Sequence, residues 1–291
     1  MHLQIGCRLE LRCEDATPFL ALVHPHPSLR EDVLGAERTL VEPDRSYEVL
    51  TDSGGNRWSR WVAPPGLSRF QFSASVSRPD RTDLVVPTAP QCPVRQLPID
   101  TYRYLNASTY CDTAALMTLA WNTFDNRRIG WALVQDICDW VHGKIRFDYQ
   151  AVRAEKTASH TLDDGAGVCR DFAHLAITLC RCLNIPARYC TGYLGYTGIA
   201  KGEAPVDFSA WFEVFLGDRW YVFDARHNIP RCGRVLIGRG RDAGDVPFLR
   251  SFGPHDLLAM EVITEAITAP DPHPSNPVPE ATSGSAASVV L

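Results

Sequence analysis

Of the ten cysteines in this 291-residue chain, Cys169 is the one whose neighbours suit a nucleophile. It follows Asp163-Asp164-Gly165-Ala166-Gly167-Val168 and opens a helical pattern with Phe172, Leu175, Ala176, Leu179 and Leu183 on one side. Glycines let the chain turn sharply into a helix, and the free amides and dipole of a helix N-terminus favour a thiolate. The same amides suit the oxyanion that forms when sulfur attacks a carbonyl. The chemistry that fits is acyl transfer through a thioester; the alternative is a cysteine that only packs. Cys7, Cys13, Cys138 and Cys180 fall on apolar patterns and read as packing, while Cys92, Cys111, Cys182, Cys190 and Cys232 carry no assigned chemistry. Cys180-Arg181-Cys182 is the only close pair, and its spacing fits neither a redox pair nor a zinc knuckle. No metal or cofactor is expected.

A thiol needs a base. His174 stands five residues beyond Cys169, about 140° around a helix, and reads as structural. His227 stands three residues past Asp224. Simple alternation puts it on the opposite face from Asp224, yet Pro230 signals that the strand is ending, so the chain can bend it back. His160 reads as a loop or surface residue. Glu213 suits an ion pair with Arg226, and His24-Pro25-His26 makes a metal pair only if carboxylates converge on it. Trp211, Trp220 and Tyr193 could line a substrate groove, although aromatic residues in sheets more often pack. Six arginines between Arg226 and Arg250 suit an acidic ligand or a solvated loop.

These residues must be held by elements. Leu3, Ile5, Cys7, Leu9, Leu11 and Cys13 alternate as a half-buried strand does; Tyr47 to Thr51, Trp58 to Val62 and Phe70 to Val76 follow suit. Residues 1–80 are therefore expected to form a small all-β domain. Residues 81–98 hold four prolines without periodicity and are expected to be an extended linker. Helices are expected from Asp112 to about Asn122, along Val134, Ile137, Cys138, Val141 and Ile145, and from Val168 to Leu183. Strands follow at Ala187 to Tyr196, Ala210 to Leu216 and Arg219 to Ala225. Gly217-Asp218 reads as a two-residue hairpin turn, which sets Trp211 opposite Asp224 and Ser209 opposite Arg226. That register puts Ala210, Phe212, Val214, Tyr221, Phe223 and Ala225 on an apolar face. Residues 99–265 would be the core domain and 266–291, proline-rich and then Ser/Ala/Gly-rich, a disordered tail.

Four blocks in order carry a resemblance: Gly167-Val168-Cys169-Arg170-Asp171-Phe172-Ala173-His174-Leu175, Leu183 to Tyr189, Ala210-Trp211-Phe212-Glu213-Val214, and Trp220-Tyr221-Val222-Phe223-Asp224-Ala225. Together they resemble the bacterial transglutaminase-like superfamily, and the β-rich start resembles the N-terminal domain that accompanies this core. The resemblance implies an α+β, papain-like core, a helix-start cysteine packed on an antiparallel sheet, preceded by the small all-β domain. It implies Cys169 as nucleophile and Asp224 as acid of a catalytic triad. The family histidine would immediately precede Ala210-Trp211, but Ser209 fills that slot, and His227 is the candidate substitute. Such proteins act on peptide or isopeptide amides, and bacterial relatives are suspected of working beside peptide-ligating ATP-grasp proteins. A site emptied of its base would instead leave a peptide- or protein-binding module.

Composition narrows the rest. A net charge of −5 with 29 scattered basic residues argues against nucleic acid as a partner. No apolar run approaches the ~20 residues of a membrane span, so no membrane partner is expected. The N-terminal residues lack a signal-peptide pattern, and a cytoplasmic location is expected.

Overall fold

The computed structural model describes residues 1–124, 128–195 and 207–267. Six strands come first: β1 (His2–Cys13), β2 (Thr17–Leu22), β3 (Val33–Glu42), β4 (Glu48–Thr51), β5 (Arg57–Ala63) and β6 (Gly66–Ser77). Helices α1 (Thr113–Thr123) and α2 (Trp131–Lys144) follow, then β7 (Arg146–Phe147), α3 (Ala158–Asp164), β8 (Ala166–Gly167) and α4 (Cys169–Cys182). The chain then makes β9 (Ala187–Tyr193), β10 (Phe208–Leu216), β11 (Arg219–Phe223), β12 (Val235–Gly240), β13 (Leu249–Ser251) and β14 (His255–Ile267).

The alternation of β1 fills one side of a β-sandwich. Leu3, Ile5, Cys7, Leu9, Leu11 and Cys13 are all buried, and the Trp61 ring of the facing sheet stacks between Phe19 and Phe70 at centroid distances of 5.2 and 4.5 Å. The two sheets run β14-β1-β6-β3 and β13-β2-β5-β4. The last two strands of the chain thus complete the first domain: β14 pairs along the whole of β1, and β13 pairs with β2. The expected 99–265 core is corrected accordingly. Residues 249–267 lie in the sandwich, since β1 would otherwise expose an unpaired edge. The expected tail falls, from residue 268 on, outside the described residues.

In the core, α4 packs on the sheet β11-β10-β9-β12. Every α4 residue from Asp171 to Cys182 is buried, so this central helix is covered on its polar face as well as its apolar one. The hairpin register is as expected, with Phe212 opposite Phe223 and Leu216 opposite Arg219. Ala210, Phe212, Val214, Phe223 and Ala225 join the main core, while Trp211 joins a small second cluster with Cys190 and Leu236. The ladder ends at Phe223, however, so the expected pairings of Trp211 with Asp224 and Ser209 with Arg226 are not formed.

Asp112 precedes α1 as expected, but its carboxylate serves another helix. It accepts from the Thr157 hydroxyl at 3.0 Å and the Ser159 amide at 3.1 Å, at the start of α3. The proline-rich stretch is no free linker. Prolines lack the donor that sheets require, and here the carbonyls anchor instead: Ala89 accepts from the Trp131 amide at 3.0 Å and Pro90 from the Gly217 amide at 2.8 Å. Among the described residues, no helix is long and apolar enough to cross a membrane.

Candidate active site

Cys169 is the first residue of α4, and two side chains and a glycine fix that start. Asp171 Oδ2 accepts from the Val168 amide at 2.9 Å, satisfying one donor that the helix itself cannot. A Cβ on Gly167 would lie 2.7 Å from the Asp171 Cβ, so only glycine fits there. Lys156, with no exposed side-chain surface, donates to the carbonyls of Ala151 at 3.1 Å and Ala166 at 2.7 Å and pairs with Asp164 at 2.9 Å. The loop before the cysteine is thus tied from both ends.

The half-buried Cys169 sulfur sits against the edge of β10, beyond the point where β11 stops. Its Sγ lies 3.8 Å from the Phe208 carbonyl, and the nearby Ala210 backbone favours its charged form. Ser209 lies between Phe208 and Ala210 on β10. Burial pushes the thiol up to about 11, against the opposing pull of the Arg226 guanidinium. That shift favours the protonated thiol at neutral pH. As the first helical residue, Cys169 also offers an amide with no intrahelical acceptor.

Asp224 follows the last residue of β11 and is buried. Its Oδ1 accepts from the amides of Arg226 and His227, both at 3.0 Å; its Oδ2 accepts from His227 Nδ1 at 2.9 Å and Arg234 at 2.8 Å. Burial would raise its pKa, but Arg234 and the His227 hydrogen bonds override it and hold the carboxyl well below the usual range. His227 is carried back to the acid by a tight turn. The Asn228 amide donates to the Asp224 carbonyl at 2.8 Å, with Asn228 at φ 52°, a left-handed conformation that Asn tolerates better than most residues. The His227 side chain is 19% exposed, and its Nε2 has no hydrogen-bond partner among the described residues. No imidazole hydrogen-bonds to the Cys169 sulfur among those residues.

The other expected residues are placed elsewhere. Tyr193 is wholly buried and donates to the Val23 carbonyl at 2.9 Å, tying β9 to the sandwich. Trp211 is buried beneath Arg234, whose guanidinium lies 4.9 Å from its ring centroid. Neither lines a groove, so both are corrected to packing residues. Glu213 pairs with Arg188 and Arg239 at 2.6 and 3.0 Å, not with Arg226. His160 belongs to the capping box of α3. His174 is buried and stacked on Tyr110, with Nε2 accepting from the Ala243 amide at 3.1 Å. His24 and His26 divide between different partners, Glu37 and Ser59 for one, Ser28 and Arg239 for the other.

Arg234 and Asp83 were missed. Arg234 bridges Asp224 to Asp83, at 2.8 and 2.9 Å, so the strap following the sandwich reaches the acid of the site. The arginine-rich run from Arg226 to Arg250 was the one available signal; nothing in the sequence marks Asp83.

Residues 122–225 match the family model of the transglutaminase-like superfamily. Over nearly the whole chain the fold is similar to the crystal structure of a "putative cysteine protease" from Cytophaga hutchinsonii: TM-score 0.80, 29% identity, covering 93% of this chain and 92% of that one. An uncharacterized protein of Mycobacterium leprae (strain TN) is 29% identical over 130 residues, which are 43% of this chain and 46% of that protein. The chain thus spans about half the length of that curated relative. His227 lies just beyond the family match, while Cys169, Ser209 and Asp224 lie inside it. The helix-start cysteine docked on β10, with the acid at the end of β11, therefore belongs to a transglutaminase-like superfamily domain within a strand-rich chain.

Proposed function

We propose that the protein is a cysteine acyl-transfer enzyme that cleaves peptide or isopeptide amides through a Cys169 thioester, with His227 as the base. The observation that carries this reading is the 2.9 Å contact between His227 Nδ1 and Asp224 Oδ2. It fixes which nitrogen holds the proton and leaves Nε2 as the lone-pair acceptor, the arrangement that a cysteine–histidine–acid triad requires. The Cytophaga protein's description as a "putative cysteine protease" supports the same class.

In the forward direction His227 Nε2 takes the thiol proton as Cys169 Sγ bonds to the amide carbon. The Cys169 amide faces the developing oxyanion, and the proton on His227 then passes to the departing nitrogen as the C–N bond breaks. Water attacks the thioester, His227 removes its proton, and Cys169 leaves as the thiol, releasing a carboxylic acid. Apo hydrogen bonds of this kind are commonly long and close only on substrate.

A second reading is favoured by Ser209 in the histidine slot: a peptide-binding module that keeps the fold without the chemistry. Mass analysis after exposure to a library of peptide amides, with hydroxylamine as trap, separates the two. The enzyme reading expects peptide hydroxamates, formed as hydroxylamine displaces Cys169 from the acyl group, at a rate that falls by about 10² to 10⁴-fold in His227→Ala. Hydroxamates that arise only after Ser209→His would support the binding module.

A further inference from the structure

Six arginines lie between Arg226 and Arg250, and five have a hydrogen-bonding task. Arg231 donates to the Gly195 carbonyl, Arg234 to Asp83 and Asp224, Arg239 to Glu213, Arg241 to Asp245 and Arg250 to the Gly244 carbonyl. The Arg226 guanidinium has no hydrogen bond and no carboxylate oxygen within 4.0 Å among the described residues. It is held in place nonetheless. Its amide is bound by Asp224 Oδ1 at 3.0 Å, its carbonyl accepts from His142 Nδ1 at 2.9 Å, and its guanidinium lies 3.8 Å from the centroid of the Phe147 ring. Phe147 is paired across β7 and β8 with Gly167, two residues before the nucleophile.

A half-buried guanidinium that is fixed at its backbone, stacked on one face and unpaired at its edge is preorganised for a planar anion. Its field reaches the Cys169 sulfur and the carboxyl of Asp207, the acidic residue just before β10.

We infer that Arg226 anchors a substrate carboxylate beside the Cys169 thiol, so that the site takes acidic peptides bearing a free carboxylate next to the bond that is cut. This rests on the acyl-transfer reading above and deepens it by naming the substrate class.

Two alkylating probes of nearly equal size test the inference on the full chain. Iodoacetate carries the carboxylate and iodoacetamide does not, and peptide mapping reports Cys169 apart from the other cysteines. Taking the ratio of the two rates cancels any effect of Arg226 on the thiolate population. Arg226→Gln is expected to lower the iodoacetate-to-iodoacetamide ratio at Cys169 by about tenfold or more, the size of a lost charge-assisted pair. Arg226→Lys, a point charge without the fork, is expected to recover only part of the ratio. In the unaltered protein, N-acetylglycine should protect Cys169 from iodoacetamide with saturation, a readout that needs no variant. An unchanged ratio in Arg226→Gln, or no protection by N-acetylglycine, overturns the anchor and leaves acyl transfer standing. A Cys169 inert to both reagents between pH 6 and 9 overturns both.

Discussion

The molecule contains two histidines held by carboxylates in nearly the same way, and they differ in what their outer nitrogens meet. In the sandwich, His24 Nδ1 lies 2.9 Å from Glu37 and Nε2 lies 2.8 Å from the Ser59 hydroxyl. In the core, His227 Nδ1 lies 2.9 Å from Asp224. Each acid is also gripped by an arginine, Arg57 on Glu37 and Arg234 on Asp224. The first set has the connectivity of a serine triad, yet Ser59 is fully buried and no substrate can reach it. The His24 side chain is 2% exposed and that of His227 is 19%. Connectivity orients an imidazole; exposure decides whether a second group can reach it.

The contrast can be broken at several points, the largest effect first. Cys169→Ala is expected to remove amide turnover by about 10⁴-fold or more, as loss of a nucleophile does in cooperative triads. Product assays on a cleaved peptide amide would show it, and retained turnover would move the chemistry elsewhere. His227→Ala is expected to cost about 10² to 10⁴-fold in turnover with little change in thermal midpoint. His24→Ala should do the reverse: turnover per folded molecule unchanged, and stability lower by about 1 to 3 kcal/mol because Ser59 and Glu37 lose their buried partner. Urea titration beside the activity assay reads both.

Acid provides the next test. Burial would raise the pKa of Glu37, but its hydrogen bonds to His24 and Arg57 bring it from the ordinary 4.5 down to about 2. A depressed carboxyl stabilises the fold above its unfolded value, so this contribution, about 3 kcal/mol at neutral pH, is lost as pH falls from about 4.5 to 2. Asp224, shifted in the same direction, adds to the loss. Glu37→Gln should therefore flatten the stability curve over that window, measured by urea midpoints at stepped pH. The smallest effect is expected from Ser209→His. If His227 already serves as base, turnover should stay within about threefold, whereas a large gain would show that the native site lacks one.

How far these features could be read in advance depended on whether their causes were local. The α4 helix, its cysteine and the β10–β11 register follow from periodicity and a two-residue turn, both of which lie within a short stretch of chain. Completion of the sandwich by β14 was hidden because strand pairing across some 250 residues leaves no mark on either partner's sequence. The return of His227 to Asp224 was half legible. Pro230 announced the end of the strand, but the bend itself depends on Asn228 adopting φ 52°. Arg234 and Asp83 could not be paired from sequence, since their contact follows from the way the proline-rich strap lies along the core. The thiol's state was open for a related reason: a helix N-terminus is visible in sequence, and the burial that raises the thiol's pKa is not.

The central claim is that His227, and not a residue in the Ser209 slot, takes the proton from Cys169. It is tested most directly by the pH dependence of iodoacetamide alkylation at Cys169, followed by peptide mapping, in the unaltered protein and in His227→Ala. The account predicts that the unaltered protein is alkylated readily near neutral pH, with His227 taking the thiol proton. In His227→Ala that neutral-pH reaction should vanish, leaving a rate that climbs only above about pH 9, as a buried thiol without a base requires. Superimposable profiles for the two proteins would contradict it.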